Sequence, residues 1–353
     1  MALSLFGRGM SSLTDRNVLV TGGCGSIGSR LVERILEEEP AVVRVLDTDE
    51  AALFDLQERY GKEGRLRYLL GSVRDRDRLG MAIEDIDVVF HAAALKHVEL
   101  TEYNPFEAVR TNVQGTQNLV RMAVEEEVDS FVNVSTDKAS NPVSVMGATK
   151  LLSERLVIAA NAYKGSKDTR FGCVRFGNVL GSSGSVVPVF LDQIREGGPV
   201  SVTDPEMTRF VMPVEDAVEL VLEAHERMTS GEVFVLKMPA FRVGDLAQSM
   251  VERYGPAFGY DPGEIDVEVV GARPAERVHE KLVSADEALQ ARELEDMYVI
   301  LPQIDVPGYR ATNYSEFEAI DREYTSADQE LLSGEEMLEL IAKTDAVSVG
   351  ADD

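Results

Sequence analysis

The sequence predicts an α/β protein, a doubly wound parallel sheet with a smaller C-terminal lobe. Through the first half of the chain, short β-type apolar runs alternate with amphipathic stretches of helical length. That pattern implies parallel strands joined by right-handed helical crossovers. A glycine-rich turn directly follows the first apolar run and opens the first helical stretch. After Gly177 the alternation loosens, as expected of a second lobe closing over a cleft. At 353 residues the chain is long enough to bury a core for both parts.

In order, the strands of the main sheet read Asn17–Thr21 (NVLVT), Val42–Asp47 (VVRVLD), Leu66–Gly71 (LRYLLG), Val88–Ala92 (VVFHA), Ser130–Ser135 (SFVNVS) and Phe171–Phe176. Helices are expected between them at Ser29–Glu38, Glu50–Tyr60, Glu107–Glu126 and from near Val145. This assigns residues 1–177 to the first domain and 178–345 to the smaller lobe. The lobe carries helical patterns at Pro188–Glu196, Val214–Met228 and Val243–Tyr254, and short strands at Val233–Leu236, Asp266–Val270 and Met297–Leu301. Val233–Leu236 is expected to return to the main sheet. Residues 346–353 read as a frayed acidic tail.

Hydrophobic residues make up 44% of the chain, an ordinary globular share. No stretch approaches the roughly 18 apolar residues of a membrane helix. The segment Met1–Asp15 lacks a basic-then-apolar signal design, so a cytoplasmic protein without membrane insertion is expected. Cys24 lies in the glycine turn and Cys173 in an apolar run, which argues against a disulfide, and no metal site is expected. Acidic residues outnumber basic ones 62 to 35, for a net charge of −27. That balance disfavours nucleic acid and anionic membranes as partners. It fits a well-solvated surface and adaptation to high salt equally well. With only nine lysines in the chain, those inside Gly-rich or apolar motifs gain weight as functional groups.

The turn reads Thr21-Gly-Gly-Cys-Gly-Ser-Ile-Gly28, with Gly22, Gly25 and Gly28 spaced for a tight bend. Ser26 and Ile27 complete it at a helix start, where backbone N–H groups can approach a pyrophosphate. Asp47 ends the second strand, 19 residues after Gly28. Its carboxylate either accepts both ribose hydroxyls of NAD, repelling the 2′-phosphate of NADP, or merely caps the next helix. NAD is the expected cofactor. Beyond the fifth strand come Ser135-Thr136-Asp137-Lys138-Ala139 and Met146-Gly147-Ala148-Thr149-Lys150. A hydroxyl, a carboxylate and two lysines thus gather at the carboxyl ends of the strands, where doubly wound sheets bind ligands.

These motifs, with HAAALKHV (His91–Val98), TNVQG (Thr111–Gly115), RFGNV (Arg175–Val179), GSVVP (Gly184–Pro188), MTRF (Met207–Phe210) and RPAERVHE (Arg273–Glu280), cover nearly the whole chain. The sequence resembles the extended short-chain dehydrogenase/reductases, a Rossmann-fold group, and within them the UDP-N-acetylglucosamine 4,6-dehydratases. The resemblance implies a lyase that oxidises C4 of a UDP-N-acetylhexosamine transiently with bound NAD. Lys150 would hold the nicotinamide ribose and Thr136 the sugar 4-hydroxyl. Protonated Asp137 would donate to the departing 6-hydroxyl, and Lys138, its pKa depressed, would take the C5 proton. Ser72, Val73, Ala92, Ala93, Ala94 and Asn112 would join the cofactor site, with Ser72 replacing an Asp that relatives direct at adenine. Asn178 would contact substrate, Arg209 and Arg273 the diphosphate, and Glu276 the uridine ribose. Arg175 would line the lobe interface, Val187 would offer its backbone N–H, and Lys96 would either reach the sugar or be structural. His91 is expected to pack rather than catalyse.

Met146 stands where the family's familiar acid/base is Tyr, which moves the oxidation base to Asp137 or Lys138. The C-terminal third resembles C5-inverting dehydratases, while the Met motif is shared with retaining ones. A UDP-sugar 4-epimerase and a non-catalytic NAD-binding protein are the rival readings. A homo-oligomer is expected, with the helical stretches Glu107–Glu126 and Val145–Ala162 as contact faces.

Overall fold

The computed structural model describes residues 12–61, 63–182, 185–273, 275–307, 309 and 314–344. The acidic tail therefore lies outside the described residues. Six strands open the chain's main sheet: β1 (Asn17–Thr21), β2 (Val42–Asp47), β3 (Leu66–Leu70), β4 (Val88–His91), β5 (Ser130–Val134) and β6 (Arg170–Arg175). They lie side by side in the order β3-β2-β1-β4-β5-β6, all parallel. The two halves are wound in opposite directions from β1, so the order reverses between β1 and β4, and a crevice opens at their carboxyl ends. β5 is buried along its whole length, as a central parallel strand covered on both faces must be.

The sheet does not stop at β6. Val233–Leu236 pairs parallel with it, setting Val233 beside Cys173. Met297–Ile300, Ala291–Glu293 and Glu318–Ala319 follow as antiparallel additions, giving ten strands among the described residues. A second hydrophobic cluster, built on Phe190, Ile194, Val200, Leu246 and Met250, forms the core of the smaller lobe. Val267–Val269, read from the sequence as part of Asp266–Val270, pairs there with Val200–Val202, away from the main sheet. Among the described residues no helix is long and apolar enough to cross a membrane.

One helix departs from expectation. The stretch read as a single helix over Glu107–Glu126 is a short α-helix (Pro105–Ala108), a π-helical segment (Val109–Gly115) and an α-helix (Thr116–Glu125). The wide turns fall where Asn112 points inward. Its amide donates to the Leu95 carbonyl and the Thr149 hydroxyl, both at 3.0 Å, and its oxygen accepts the Leu95 N–H at 2.8 Å. Widened turns inside helices recur at functional sites because they turn a side chain that an α turn would aim elsewhere.

Candidate active site

The glycine turn is shaped for an anion. The helix α1 (Ser26–Leu36) starts at Gly25, which has no side chain to cap its first turn. No side-chain oxygen therefore takes the place where a phosphate would meet the positive end of the helix. A Cβ on Gly28 would overlap the carbonyl oxygen of Gly22, so only glycine permits the bend. Asp47 is not a helix cap. Asp49 caps the following helix, accepting the Ala52 N–H at 3.0 Å. The Asp47 carboxylate instead accepts the Cys24 N–H at 2.9 Å and the Thr48 N–H at 2.7 Å, tying the glycine turn to the end of β2. Burial, with Asp47 and Asp49 adding to it, pushes the Cys24 thiol up to about 12, leaving no reactive thiolate.

Lys150 sits on the helix Val145–Tyr163, whose first turn is capped by Ser144 accepting the Gly147 N–H at 3.0 Å. A side chain at Gly147 would collide with the Lys138 carbonyl, so the glycine lets this helix lie against the turn that carries Asp137 and Lys138. Lys150 is buried and its Nζ donates to the Val134 carbonyl at 2.6 Å. Burial lowers its pKa to about 8, with Glu154 opposing, so it is still mostly charged at neutral pH. Met146, one turn before it, is buried. His91 bonds Thr21 and Thr116 through its two ring nitrogens at 2.7 and 2.9 Å. Burial and the Lys150 charge pull its pKa down to about 3, so it is a neutral packing residue.

A cavity of about 230 Å³ opens beside this helix, lined by Asp137, Lys138, Asn178, Arg209, Glu280 and neighbouring residues that include Arg273 and Glu276. Thr136 donates its hydroxyl to Asp137 Oδ1 at 2.7 Å. Lys138 Nζ donates to both Asp137 oxygens, at 3.0 and 3.2 Å, and to Glu280 Oε1 at 3.2 Å. Asn178 donates to Glu280 Oε2 at 3.3 Å. Arg209 lies 3.4 Å from Glu280 and 3.3 Å from Glu276, and Arg273 pairs with Glu99 at 2.9 Å. Positive guanidinium groups thus stand on one side of a carboxylate–ammonium cluster, a setting suited to a diphosphate joined to a sugar.

The resting charges correct the expected protonation states. Burial opposes it, but the Asp137 and Glu280 carboxylates push Lys138 above the ordinary lysine range. Burial would likewise raise Asp137, yet the Lys138 ammonium and Thr136 hydroxyl hold it below the carboxylate range. Asp137 is therefore the ionised partner and Lys138 the charged donor. The sequence hides this because it does not place Glu280 against Lys138.

Other expected residues lie away from the cavity lining. Arg175 does not line the cavity. It is fully buried between Glu154 and Glu287 and donates to the Leu282 carbonyl. Val187 turns its side chain into the core of the smaller lobe, while its backbone N–H, the expected donor, stands in the first turn of the helix Val186–Arg195; Gly184 lies outside the described residues. Lys96 projects from the exposed loop after β4 and does not line the cavity. Asn112 spends its amide on Leu95 and Thr149, so it ties the loop after β4 to the helix that carries Lys150 rather than offering a free group to a cofactor. Ala92, Ala93 and Ala94 follow β4 beside the glycine turn, where Ala93 backs onto Gly22. Ser72 and Val73 follow β3, with Ser72 Oγ accepting the Arg74 N–H at 3.2 Å.

The chain is similar to known proteins over most of its length. The family described as polysaccharide biosynthesis protein matches residues 18–302. An uncharacterized membrane protein of Methanocaldococcus jannaschii is 54% identical over 82% of this chain and 86% of its own. A UDP-N-acetylglucosamine 4,6-dehydratase (inverting) of Campylobacter jejuni is 41% identical over 82% of this chain and 84% of its own. A UDP-glucose 4-epimerase of Rickettsia rickettsii is 34% identical over 94% and 97%. Among solved structures, Pen from Bacillus thuringiensis superposes with a TM-score of 0.88 at 41% identity, covering 95% of this chain and 99% of that one. The dTDP-glucose 4,6-dehydratase DesIV of Streptomyces venezuelae, solved with NAD bound, gives a TM-score of 0.65 at 25% identity, covering 74% and 86%. This chain belongs to the polysaccharide biosynthesis protein family, within the extended short-chain dehydrogenase/reductases that its motifs resemble.

Proposed function

We propose that this chain is a UDP-N-acetylglucosamine 4,6-dehydratase, inverting at C5, that forms a UDP-4-keto-6-deoxy-N-acetylhexosamine. It is an enzyme acting on sugar nucleotides, and NAD is its cofactor. The observation that carries the dehydratase reading is the joined Thr136–Asp137–Lys138 cluster facing a cavity with Arg209 and Arg273. Elimination of the 6-hydroxyl needs an acid and a base side by side, and this cluster supplies both. When bound, NAD supplies the acceptor for the C4 hydride and the donor that returns it to C6. The remaining steps are proton movements that fall to the protein.

Similarity to an inverting dehydratase supports the C5 outcome. Similarity to UDP-glucose 4-epimerases supports a second reading, in which only the C4 hydride step is used. Proton NMR of the product from UDP-N-acetylglucosamine separates them. A 6-methyl signal is expected, and its couplings report C5. A product that keeps its 6-hydroxyl and differs only at C4 would replace this proposal with epimerisation.

Two expectations follow from the site. Mass spectrometry of cofactor released from the purified protein should find NAD in excess over NADP, since the Asp47 carboxylate repels a 2′-phosphate. Dominant NADP would remove Asp47 from the ribose site. Met146 has no proton to exchange, so Met146→Leu should lower the dehydration rate by less than about tenfold, roughly 1.4 kcal/mol of barrier. Its stability cost should stay below about 1.5 kcal/mol because volume and apolarity are kept. A larger rate loss in a stably folded variant would give the thioether a role in the chemistry.

A further inference from the structure

We infer that Glu280 is the proton reservoir of this site, taking the proton that Lys138 must lose before it can act as a base. The inference rests on the dehydratase reading above. In that reaction the sugar gives up two protons, from the 4-hydroxyl and from C5. It takes two back, one into the departing water and one onto C5. Asp137 can receive the first. Lys138, with all its neighbours arranged as acceptors, has no lone pair to receive the second.

Geometry supplies the missing group. Glu280 is 6% exposed and lines the cavity, 3.2 Å from Lys138 Nζ, which also donates to Asp137 at 3.0 Å, and it is in hydrogen-bond contact with the Asp137 carboxyl. Its backbone N–H donates to Ser326 Oγ at 2.9 Å and Asn178 donates to its second oxygen, so the carboxyl is held in place. The charges that face it are Asp137 and Lys138 from the turn after β5 and Arg209 from Thr208–Met212. Glu276 shares Arg209, and Lys281, next in the chain, is engaged by Glu323. Two cations, Lys138 and Arg209, thus meet three carboxylates, Asp137, Glu276 and Glu280, which leaves one negative charge in excess at rest and room in the cluster for one proton. Burial and the Asp137 charge push Glu280 up from its ordinary value, against Lys138 and Arg209.

The protons balance as follows. The 4-hydroxyl proton passes by way of Thr136 to ionised Asp137. With that negative charge gone, Lys138 is less well stabilised as an ammonium and transfers a proton to Glu280, whose burial disfavours its own charged form. Neutral Lys138 then takes the C5 proton. The C5–H electron pair becomes the C5=C6 double bond as the C6–O pair leaves with the oxygen, which Asp137 protonates to water. The proton kept on Glu280 is the one owed to C5 when hydride has returned to C6, and its delivery restores the resting charges.

Glu280→Gln keeps the size of the side chain and an oxygen for Lys138 but cannot take the proton. With UDP-N-acetylglucosamine, the variant should build up bound reduced cofactor within about threefold of the parent rate. Its dehydration should fall by at least about 100-fold, while Glu280→Asp keeps dehydration within about tenfold of the parent. Infrared titration of the protein without substrate should show, in the parent, a carboxylic acid that ionises above the ordinary Glu range, and Glu280→Gln should lack it. Dehydration by Glu280→Gln within about threefold of the parent overturns the inference. So does loss of reduced-cofactor build-up, or persistence of the infrared band in that variant. If the parent itself makes no 6-deoxy product, the dehydratase reading fails, and the infrared arm still decides whether Glu280 holds the proton.

Discussion

Lys138→Ala should release water from C6 about a thousandfold more slowly than the parent, the equivalent of roughly 4 kcal/mol of barrier. Reduced nicotinamide should nevertheless accumulate on the protein, because the 4-hydroxyl proton goes to Asp137, which the variant keeps. The pH dependence of that accumulation tests the charge assignment. In the parent, Lys138 and Thr136 hold Asp137 below the carboxylate range against the effect of burial. Asp137 must be ionised to accept a proton, so the parent's acid limb lies low. Removing the ammonium takes away the main opposition to burial, leaving the Thr136 hydroxyl, and shifts that limb to higher pH. Stopped-flow absorbance of the reduced cofactor across pH measures the limb, and quenched-flow product analysis measures water release. Dehydration within about tenfold of the parent would remove Lys138 from the elimination.

Arg175→Ala should lower stability by about 3–5 kcal/mol, the usual cost of removing one partner from a buried ion pair. For a chain of this size that corresponds to a fall in Tm of roughly 4–7 °C. Arg175 contacts Glu154 at 2.7 and 3.1 Å and Glu287 at 2.9 and 3.0 Å. Truncation strands both carboxylates in the core. Burial alone would raise Glu287, but the Arg175 guanidinium brings its carboxyl down from 4.5 to about 2. A depressed carboxylate stabilises the fold above its unfolded value and loses that contribution as pH falls through the folded one. In the variant the stranded carboxyls prefer to be protonated, so the deficit against the parent should shrink as pH is lowered toward the unfolded value of 4.5. Calorimetry at neutral and mildly acidic pH measures both. A variant as stable as the parent would make the three-residue cluster dispensable.

The alternation of apolar runs and the glycine turn were enough to read the parallel sheet, since both are local patterns. Val233–Leu236 was legible as a strand too, an apolar run too short for a helix. What escaped the sequence is long-range pairing. RPAERVHE drew attention to Arg273 and Glu276, yet its last residue, Glu280, is the one that touches Lys138, 142 positions earlier. No local pattern sets that distance. Arg175 was misread for the same reason. An arginine at the end of an apolar strand suits a ligand as well as a buried pair, and only its partners decide. One clue lay in the open: Glu154 falls one turn after Lys150 on a largely apolar helix, where an unpaired carboxylate would be costly. The π-helical segment at Val109–Gly115 keeps a helical hydrophobic pattern, so periodicity reads straight through it.

The pairing of β6 with Val233–Leu236 bears on how this chain can be cut and rearranged. Although the sequence changes character after Gly177, that point is not a seam. A fragment ending there would present Arg170–Arg175 as a bare edge, its backbone donors and acceptors facing water. Such edges recruit other chains. The C-terminal fragment would carry the complementary strand, still paired with Met297–Ile300 on one side but bare along the edge that met β6. The two pieces are better regarded as halves of one fastening than as modules, and grafts that exchange substrate lobes between relatives should carry Val233–Leu236 together with the β6 it closes on.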